Sequence, residues 1–434
     1  MFNPEVEKLP LDKLRKLQNE RLKEMLERQY ANVPFYRKAL DELGIKPSAI
    51  KGVQDLHKLP FTRKNDLRDN YPFDLFAEPM DKILRIHASS GTTGKPTVVG
   101  YNKHDLDVFD EVVARSLSAA GARPGMKLHN AYGYGLFTGG LGMHGGATKL
   151  GMAVIPISGG MTDRQLLLLQ DFQSEVICCT PSYALTLGEE MKKRGISIGD
   201  LNLKYAVLGA EPWTETVRKE VEKLMGVDAT NIYGLSEIMG PGVSQEDFEE
   251  KGTGSYIWED HFFPEVVDRD TGEPLPHGKE GVLVFTTLSK QALPILRYWT
   301  NDICSINYDP DGKRTHIKMS TIKGRADDML IIRGVNLFHT QVEVLLENFE
   351  ELSANYQLIV SRDGAMDNVK LEIEIDENIP SEFLSSDSGS SLQQALSHKI
   401  KNNIGLSMQV EIKDHNTIPR SEGGKLSRIR DLRM

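Results

Sequence analysis

Between residues 10 and 30 the apolar side chains recur at mostly helical spacing. Leu11, Leu14, Leu22, Met25, Leu26 and Tyr30 stand among charged and amide residues. This spacing predicts an amphipathic helix that lays one face on a core or on a partner. From residue 84 on the pattern changes. Short runs at 153–157, 176–179 and 205–208 are apolar almost throughout, and polar, helix-like segments separate them. Such alternation predicts an α/β architecture with largely parallel sheets. The leucine run at 166–169 is too short to cross a bilayer and reads as part of a buried helix. After about residue 250 the strand signals crowd together. The run at 282–285, set among Gly and Pro, predicts a smaller β-rich subdomain. Runs at 329–332, 357–360, 369–373 and 409–412 predict a small α+β unit at the C-terminal end, with 385–391 as a mobile loop inside it. The expected fold class is therefore α/β. It has a large N-terminal domain of mixed α/β sheets over residues 1–326 and a small mobile α+β C-terminal domain over 327–434.

Composition narrows the function classes. With 434 residues, 39% of them hydrophobic, the chain can bury a sizeable core in two or three domains. A net charge of −10 argues against a nucleic-acid-binding surface. The cysteines Cys178, Cys179 and Cys304 show no Cys-x-x-Cys spacing, so neither a cysteine zinc site nor a disulfide framework is expected. The first residues are charged and lack the apolar core of a secretory signal. No stretch of about 18 apolar residues occurs, so no membrane span is expected. These features together fit the cytoplasm.

Five stretches carry candidate chemistry. Ser89-Ser-Gly-Thr-Thr-Gly-Lys-Pro-Thr97 combines glycines with hydroxyls and a lysine, which suits a loop gripping phosphates. It lacks the Gly-x-x-x-x-Gly-Lys-Ser/Thr spacing, which disfavours a P-loop kinase or other P-loop NTPase. Tyr233-Gly-Leu-Ser-Glu237 sets an acidic side chain after a glycine turn, where it would hold Mg²⁺ against phosphate oxygens; a Ser-Glu pair also caps helices. In Tyr298-Trp-Thr-Asn-Asp302 a carboxylate at a strand end suits two ribose hydroxyls, although a turn aspartate reads the same way. The stretch from Gly324 to Gly334 enters a buried strand at the domain boundary. Pro419-Arg-Ser-Glu-Gly-Gly-Lys425 presents a lysine on glycines near the C-terminus, a pattern that a surface lysine shares.

The order of these stretches resembles the adenylate-forming superfamily of acyl-CoA synthetases, nonribosomal peptide adenylation domains and firefly luciferase. Within it, the stretches at 30–36, 73–76, 86–97, 131–140, 234–242 and 258–262 resemble the phenylacetate–coenzyme A ligase family over nearly the whole chain. Two places depart from that pattern. Two glycines precede Lys425 where one is expected, and 255–258 differs slightly.

The resemblance implies an ATP-dependent acid–thiol ligase. It would convert phenylacetate and coenzyme A to phenylacetyl-CoA, AMP and pyrophosphate through an acyl-adenylate. A ligase for indoleacetate, a benzoate-like acid or another aryl acid stands beside this reading, as does a non-catalytic nucleotide-binding relative. By the same resemblance Ser89, Ser90, Gly91, Thr92, Thr93, Gly94 and Lys95 close over the ATP phosphates. Glu237 holds Mg²⁺. Ala210, Glu211 and Pro212, together with Asn231, Tyr233, Gly234 and Ser236, line the nucleotide. Asp302 takes the ribose, with Arg325 beside it. Asp327 is the hinge, and Lys425 acts in adenylation, with Arg420 or Arg428 as a neighbouring cation able to replace it. Tyr132, Tyr134 and Phe137 follow a strand at 127–131 and, with Gly209, form an aromatic slot for the acid. Glu259, His261 and His144 read as hydrogen-bonded core or surface residues rather than metal ligands. A homodimer is expected from the resemblance and the N-terminal helix.

Overall fold

The computed structural model describes residues 1–89, 95–326, 330–332, 335–363, 366–421 and 427–433. The amphipathic N-terminal segment forms the helix Leu11–Asn32, which buries Leu14, Leu22, Met25 and Leu26. Leu22, Met25 and Leu26 join the largest hydrophobic cluster of the chain itself, so the apolar stripe is satisfied within one molecule.

The central element is a nine-stranded sheet. Val176–Cys179 is buried at every position and pairs in parallel with Lys127–Asn130 on one side and Tyr205–Gly209 on the other. Apolar residues on both faces suit a strand covered by helices on both sides. Tyr205–Gly209 pairs in turn with Asp228–Leu235, also in parallel. The helix Pro181–Lys193 starts sharply because Thr180 caps it and a proline occupies its first turn. The helix Glu215–Met225 ends on Gly226, whose φ of 67° suits a glycine. Past Asp228–Leu235 the chain turns back as Gly240–Glu246, and the sheet continues antiparallel. A second, four-stranded antiparallel sheet joins Phe262–Val267, Gly281–Thr287, Tyr298–Cys304 and Gly324–Arg325. This is the expected β-rich part.

From Leu330 on, a separate hydrophobic cluster forms around the long antiparallel pair Leu352–Asp363 and Met366–Ile375. Gln409–Lys413 and Ile429–Asp431 add parallel strands at its two edges. The expected loop at 385–391 is instead the entry to the helix Asp387–Ile404. Ser386 accepts a hydrogen bond from the Gly389 amide and caps it, so the serine-rich run starts a helix. Among the described residues no helix is long and apolar enough to cross a membrane.

His129 sits fully buried on Lys127–Asn130, with Nε2 donating to Gln165 Oε1 at 2.6 Å and Nδ1 without a partner among the described residues. Protonation would bury an unsatisfied N–H, and burial pushes the imidazole down to about 4. The unfolded chain takes up this proton near pH 6.5 and the native state does not, so stability falls as pH drops from about 6.5 towards 4. At pH 5 His129 should cost about 2 kcal/mol relative to pH 7.5. Urea unfolding at the two pH values, compared between wild type and His129→Asn, checks this. An equal pH dependence in both would refute it.

Candidate active site

The phosphate-loop stretch begins at the end of a hairpin. Arg85–Ser89 pairs antiparallel with Thr97–Tyr101. Ser89 Oγ is buried without a partner among the described residues, which leaves a donor for a ligand. Lys95 lies 5.6 Å from the Tyr71 ring. Ser90, Gly91, Thr92, Thr93 and Gly94, as well as Asp327 and Lys425, lie outside the described residues.

The aromatic stretch from Tyr132 to Phe137 is tied to this hairpin. The Leu136 carbonyl accepts from the Ala88 amide at 2.9 Å and from His87 Nδ1 at 3.0 Å. Tyr132 is buried, with its hydroxyl towards the Gly209 backbone. The Tyr134 hydroxyl accepts from Asn130 Nδ2 at 2.7 Å and lies 3.2 Å from His144 Nδ1. Phe137 is more exposed, at 39%. One residue further, Thr138 shares a hydrogen bond of 3.0 Å with the Ser236 hydroxyl. The aromatic stretch and the Glu237 turn are thereby held together.

Ser236 and Glu237 lie on the turn between Asp228–Leu235 and Gly240–Glu246, so the Ser-Glu pair caps no helix. A Cβ at Gly234 would fall 1.8 Å from the Gly240 carbonyl oxygen, so this close turn requires glycine. The Glu237 carboxylate accepts from the Tyr298 hydroxyl at 3.2 Å. Lys290, which the sequence reading missed, sits behind it. Its ammonium donates to the Glu237 carbonyl at 3.2 Å and lies 4.9 Å from the Tyr101 ring. Burial pushes this lysine down to about 8. Nothing in Ser289-Lys-Gln-Ala292 except a cation beside an apolar run marks it out.

Asp302 does not end its strand. It lies within Tyr298–Cys304, opposite Arg325 in register. Its carboxylate accepts from the Tyr233 hydroxyl at 2.6 Å and from Arg325 at 3.3 Å. Burial, with Asp302 adding to it, pushes the Tyr233 hydroxyl well above its ordinary range. Tyr233 therefore stays a neutral donor to the carboxylate.

The stretch from Gly209 to Pro212 leaves the C-terminal end of a parallel strand, the usual place for ligands in such sheets. A Cβ at Gly209 would fall 2.1 Å from the Ile232 carbonyl oxygen. Ala210 holds a φ of 75°, an uncommon conformation for a residue with a side chain. Glu211 accepts from the Ser182 amide at 2.7 Å, and Asn231 Oδ1 accepts from Trp213 Nε1 at 3.1 Å.

Arg420 and Arg428, the cations on either side of Lys425 in the sequence, both have partners. Arg420 pairs with Glu189 at 2.8 Å and with Glu374 at 2.7 Å. Arg428 donates to the Tyr356 carbonyl at 3.2 Å and lies 4.8 Å from that ring. The Glu259–His261 stretch braces two helices: Gln18 and Arg21 of the N-terminal helix meet the Glu259 carbonyl at 2.9 Å and Asp260 at 3.5 Å, and Arg115 of Lys103–Ala119 binds Asp260 at 2.9 and 3.1 Å. Among the described residues no group of three or more His, Cys, Asp or Glu is placed to hold a metal.

Residues 10–289 match the AMP-binding enzyme family and residues 334–433 match the AMP-binding enzyme C-terminal domain. A phenylacetate-coenzyme A ligase of Thermus thermophilus is 59% identical over 100% of both chains. One of Aromatoleum evansii is 51% identical over 99% of this chain and 96% of its own. The solved 2-hydroxyisobutyryl-CoA ligase is 26% identical. In its postadenylation state it superposes with a TM-score of 0.91 over 99% of this chain and 91% of that one. In its thioesterification state, over 99% and 92%, the score is 0.73.

Proposed function

The chain belongs to the AMP-binding enzyme family and, within it, to the phenylacetate-coenzyme A ligases, and from that premise we propose the reaction and the roles of its residues. Phenylacetate attacks the α-phosphorus of ATP to give phenylacetyl-adenylate and pyrophosphate. The thiol of coenzyme A then attacks the acyl carbon, and AMP leaves. The full-length match to curated phenylacetate-coenzyme A ligases carries this reading. The site geometry supports it, because one loop joins the aromatic slot to both the phosphate hairpin and the Glu237 turn.

The first step brings a carboxylate towards phosphate oxygens that already carry negative charge. Glu237 suits Mg²⁺ in that setting: it is a hard oxygen donor whose carboxylate, among the described residues, accepts one side-chain hydrogen bond, from Tyr298. Nucleotide-bound Mg²⁺ needs only one or two protein carboxylates beside phosphates and water. The ion would offset charge at the phosphates. Asp302, steadied by Tyr233 and Arg325, takes the ribose hydroxyls. Ala210, Glu211, Pro212, Asn231, Tyr233, Gly234 and Ser236 line the nucleotide, and Gly209 borders the acid slot. Ser89 and the rest of the loop through Lys95 donate to its phosphates. Tyr132, Tyr134 and Phe137 enclose the phenyl ring, and the buried Tyr132 hydroxyl keeps that wall neutral. Lys425 meets the α-phosphate in adenylation, and the C-terminal domain, with its boundary at Ala326 and its hinge at Asp327, moves between steps. The site works in the cytoplasm, in keeping with three free, buried thiols. The homodimer reading rests on the resemblance alone, because the N-terminal helix buries its apolar face within its own chain.

A panel of aryl acids, each with ATP and coenzyme A, tests the reading by pyrophosphate release and thioester formation. Phenylacetate should give the highest kcat/KM, and a clear preference for indoleacetate or a benzoate would overturn the substrate assignment. Tyr134→Ala should lower kcat/KM for phenylacetate about tenfold or more while shifting ATP affinity little, since removing a half-buried aromatic wall of the pocket costs about 1 kcal/mol or more. Equal losses for acid and ATP would place Tyr134 outside the slot.

A further inference from the structure

The C-terminal unit meets the rest of the chain mainly along the helix Pro181–Lys193 and the start of Glu215–Met225. Several of these contacts are exposed pairs, such as Lys192 with Glu377, each about half exposed. One contact differs. Glu189 accepts from Asn355 Nδ2 at 2.7 Å and from Arg420 Nε at 2.8 Å. Asn355 is 6% exposed. It reaches Glu189 because the strand pairing shifts register between Leu352 and Tyr356, and such an irregularity re-aims the side chains within it. Arg420 lies in the tail that leads to Lys425. One step on, the Ser421 carbonyl accepts from Thr186 Oγ1 at 3.4 Å, on the same helix as Glu189. The other end of that helix supplies the Ser182 amide bound by Glu211. One rigid helix therefore connects the adenine loop to the lysine-bearing tail.

We propose that Glu189 is a positioning residue that clasps Asn355 and Arg420, holds the tail in register for adenylation, and so sets the balance between the two half-reactions. The inference rests on the two-step reading above. The clasp is also releasable. Glu374 lies in the same unit as Arg420 and binds the guanidinium through two nitrogens, at 2.9 and 2.7 Å. When the units part, Arg420 keeps this partner, while the partly exposed Glu189 and the neutral Asn355 amide return to water. No buried charge is stranded, so the cost that makes most buried pairs hard to break is avoided. The arrangement in which the clasp is closed resembles the postadenylation state of 2-hydroxyisobutyryl-CoA ligase more than its thioesterification state. A contact made in only one of two arrangements shifts their populations towards that one.

The test measures two rates on the full chain. One is pyrophosphate release from acid and ATP without coenzyme A. The other is thioester formation from supplied acyl-adenylate and coenzyme A. In Glu189→Gln the ratio of the first to the second should fall about fivefold, the size expected for losing a partly exposed charge-assisted pair. Glu189→Lys, which sets a cation against Arg420, should lower it further. Glu190→Gln, whose partners Lys193 and Arg194 lie on its own helix end, should leave the ratio at the wild-type value. A ratio unchanged in both Glu189 variants, a uniform slowing of both steps, or the same fall in Glu190→Gln would overturn the clasp. If wild type fails with phenylacetate, the substrate reading falls, and the ratio measured with whichever acid is adenylated still decides the clasp. A chain that adenylates no acid overturns both.

Discussion

Replacing Lys425 by alanine is expected to slow acyl-adenylate formation at least a hundredfold while leaving thioester formation from supplied phenylacetyl-adenylate near normal. A lysine at the α-phosphate acts where charge redistributes as the carboxylate attacks. Removing such a preorganised cation costs about 3 kcal/mol or more of transition-state stabilisation. Thioester formation starts from an anhydride that is already activated and has no need of that cation. The surroundings of the tail strengthen the expectation. Arg420 is held by Glu189 and Glu374, and Arg428 lies against Tyr356. Both guanidiniums already have partners, so rescue by a neighbour should be absent. Single-turnover assays of the two half-reactions decide the matter. Equal slowing of both, or of neither, would remove Lys425 from the adenylation step and take with it the case for a moving C-terminal domain.

Much of this arrangement is legible in the chain, for physical reasons that differ from place to place. The run at 176–179 predicts its own strand because burial on both faces demands apolar residues throughout. The C-terminal unit declares itself through four short apolar runs, which build one separate cluster. Patterning reads less well where polar residues set the local structure. The serines at 385–391 suggested a loop, yet a hydroxyl that caps a helix is equally compatible with that composition. Tyr298-Trp-Thr-Asn-Asp302 reads as a strand end because Asn and Asp disfavour strands, although Ile303 and Ile306 follow. The strand in fact runs to Cys304 and pairs Asp302 with Arg325. Lys290 was invisible because a lysine's burial depends on what closes over it, here Tyr101 and the Glu237 turn. The Glu189 clasp joins residues far apart in the chain. Hydrophobic periodicity says which face is buried and nothing of which carboxylate meets which guanidinium.

The second large effect concerns Asp302, and the structure changes how it is best measured. Asp302→Ala should weaken ATP binding by about 2–5 kcal/mol, roughly thirtyfold to a few thousandfold, because two ribose hydroxyls lose a charged acceptor. The same change removes the acceptor of the Tyr233 hydroxyl, which sits at 2.6 Å from the carboxylate in a partly buried position. Leaving that hydroxyl unsatisfied costs about 1–3 kcal/mol of stability by itself. An affinity loss in the alanine variant alone would therefore mix a lost ribose contact with a loosened site. Asp302→Asn separates the two. It keeps the shape and an oxygen for Tyr233 but loses the charge, and it should weaken ATP by about 1.5–3 kcal/mol, the usual worth of a charged hydrogen bond. Tyr233→Phe supplies the complement, because it leaves the carboxylate in place and removes only its support. ATP affinity by calorimetry should thus fall in the order Tyr233→Phe, Asp302→Asn, Asp302→Ala, with the phenylalanine variant close to wild type. If Tyr233→Phe weakened ATP as much as Asp302→Asn, the carboxylate would be acting through the fold rather than on the ribose. Unchanged ATP affinity in Asp302→Asn and Asp302→Ala would end the ribose assignment.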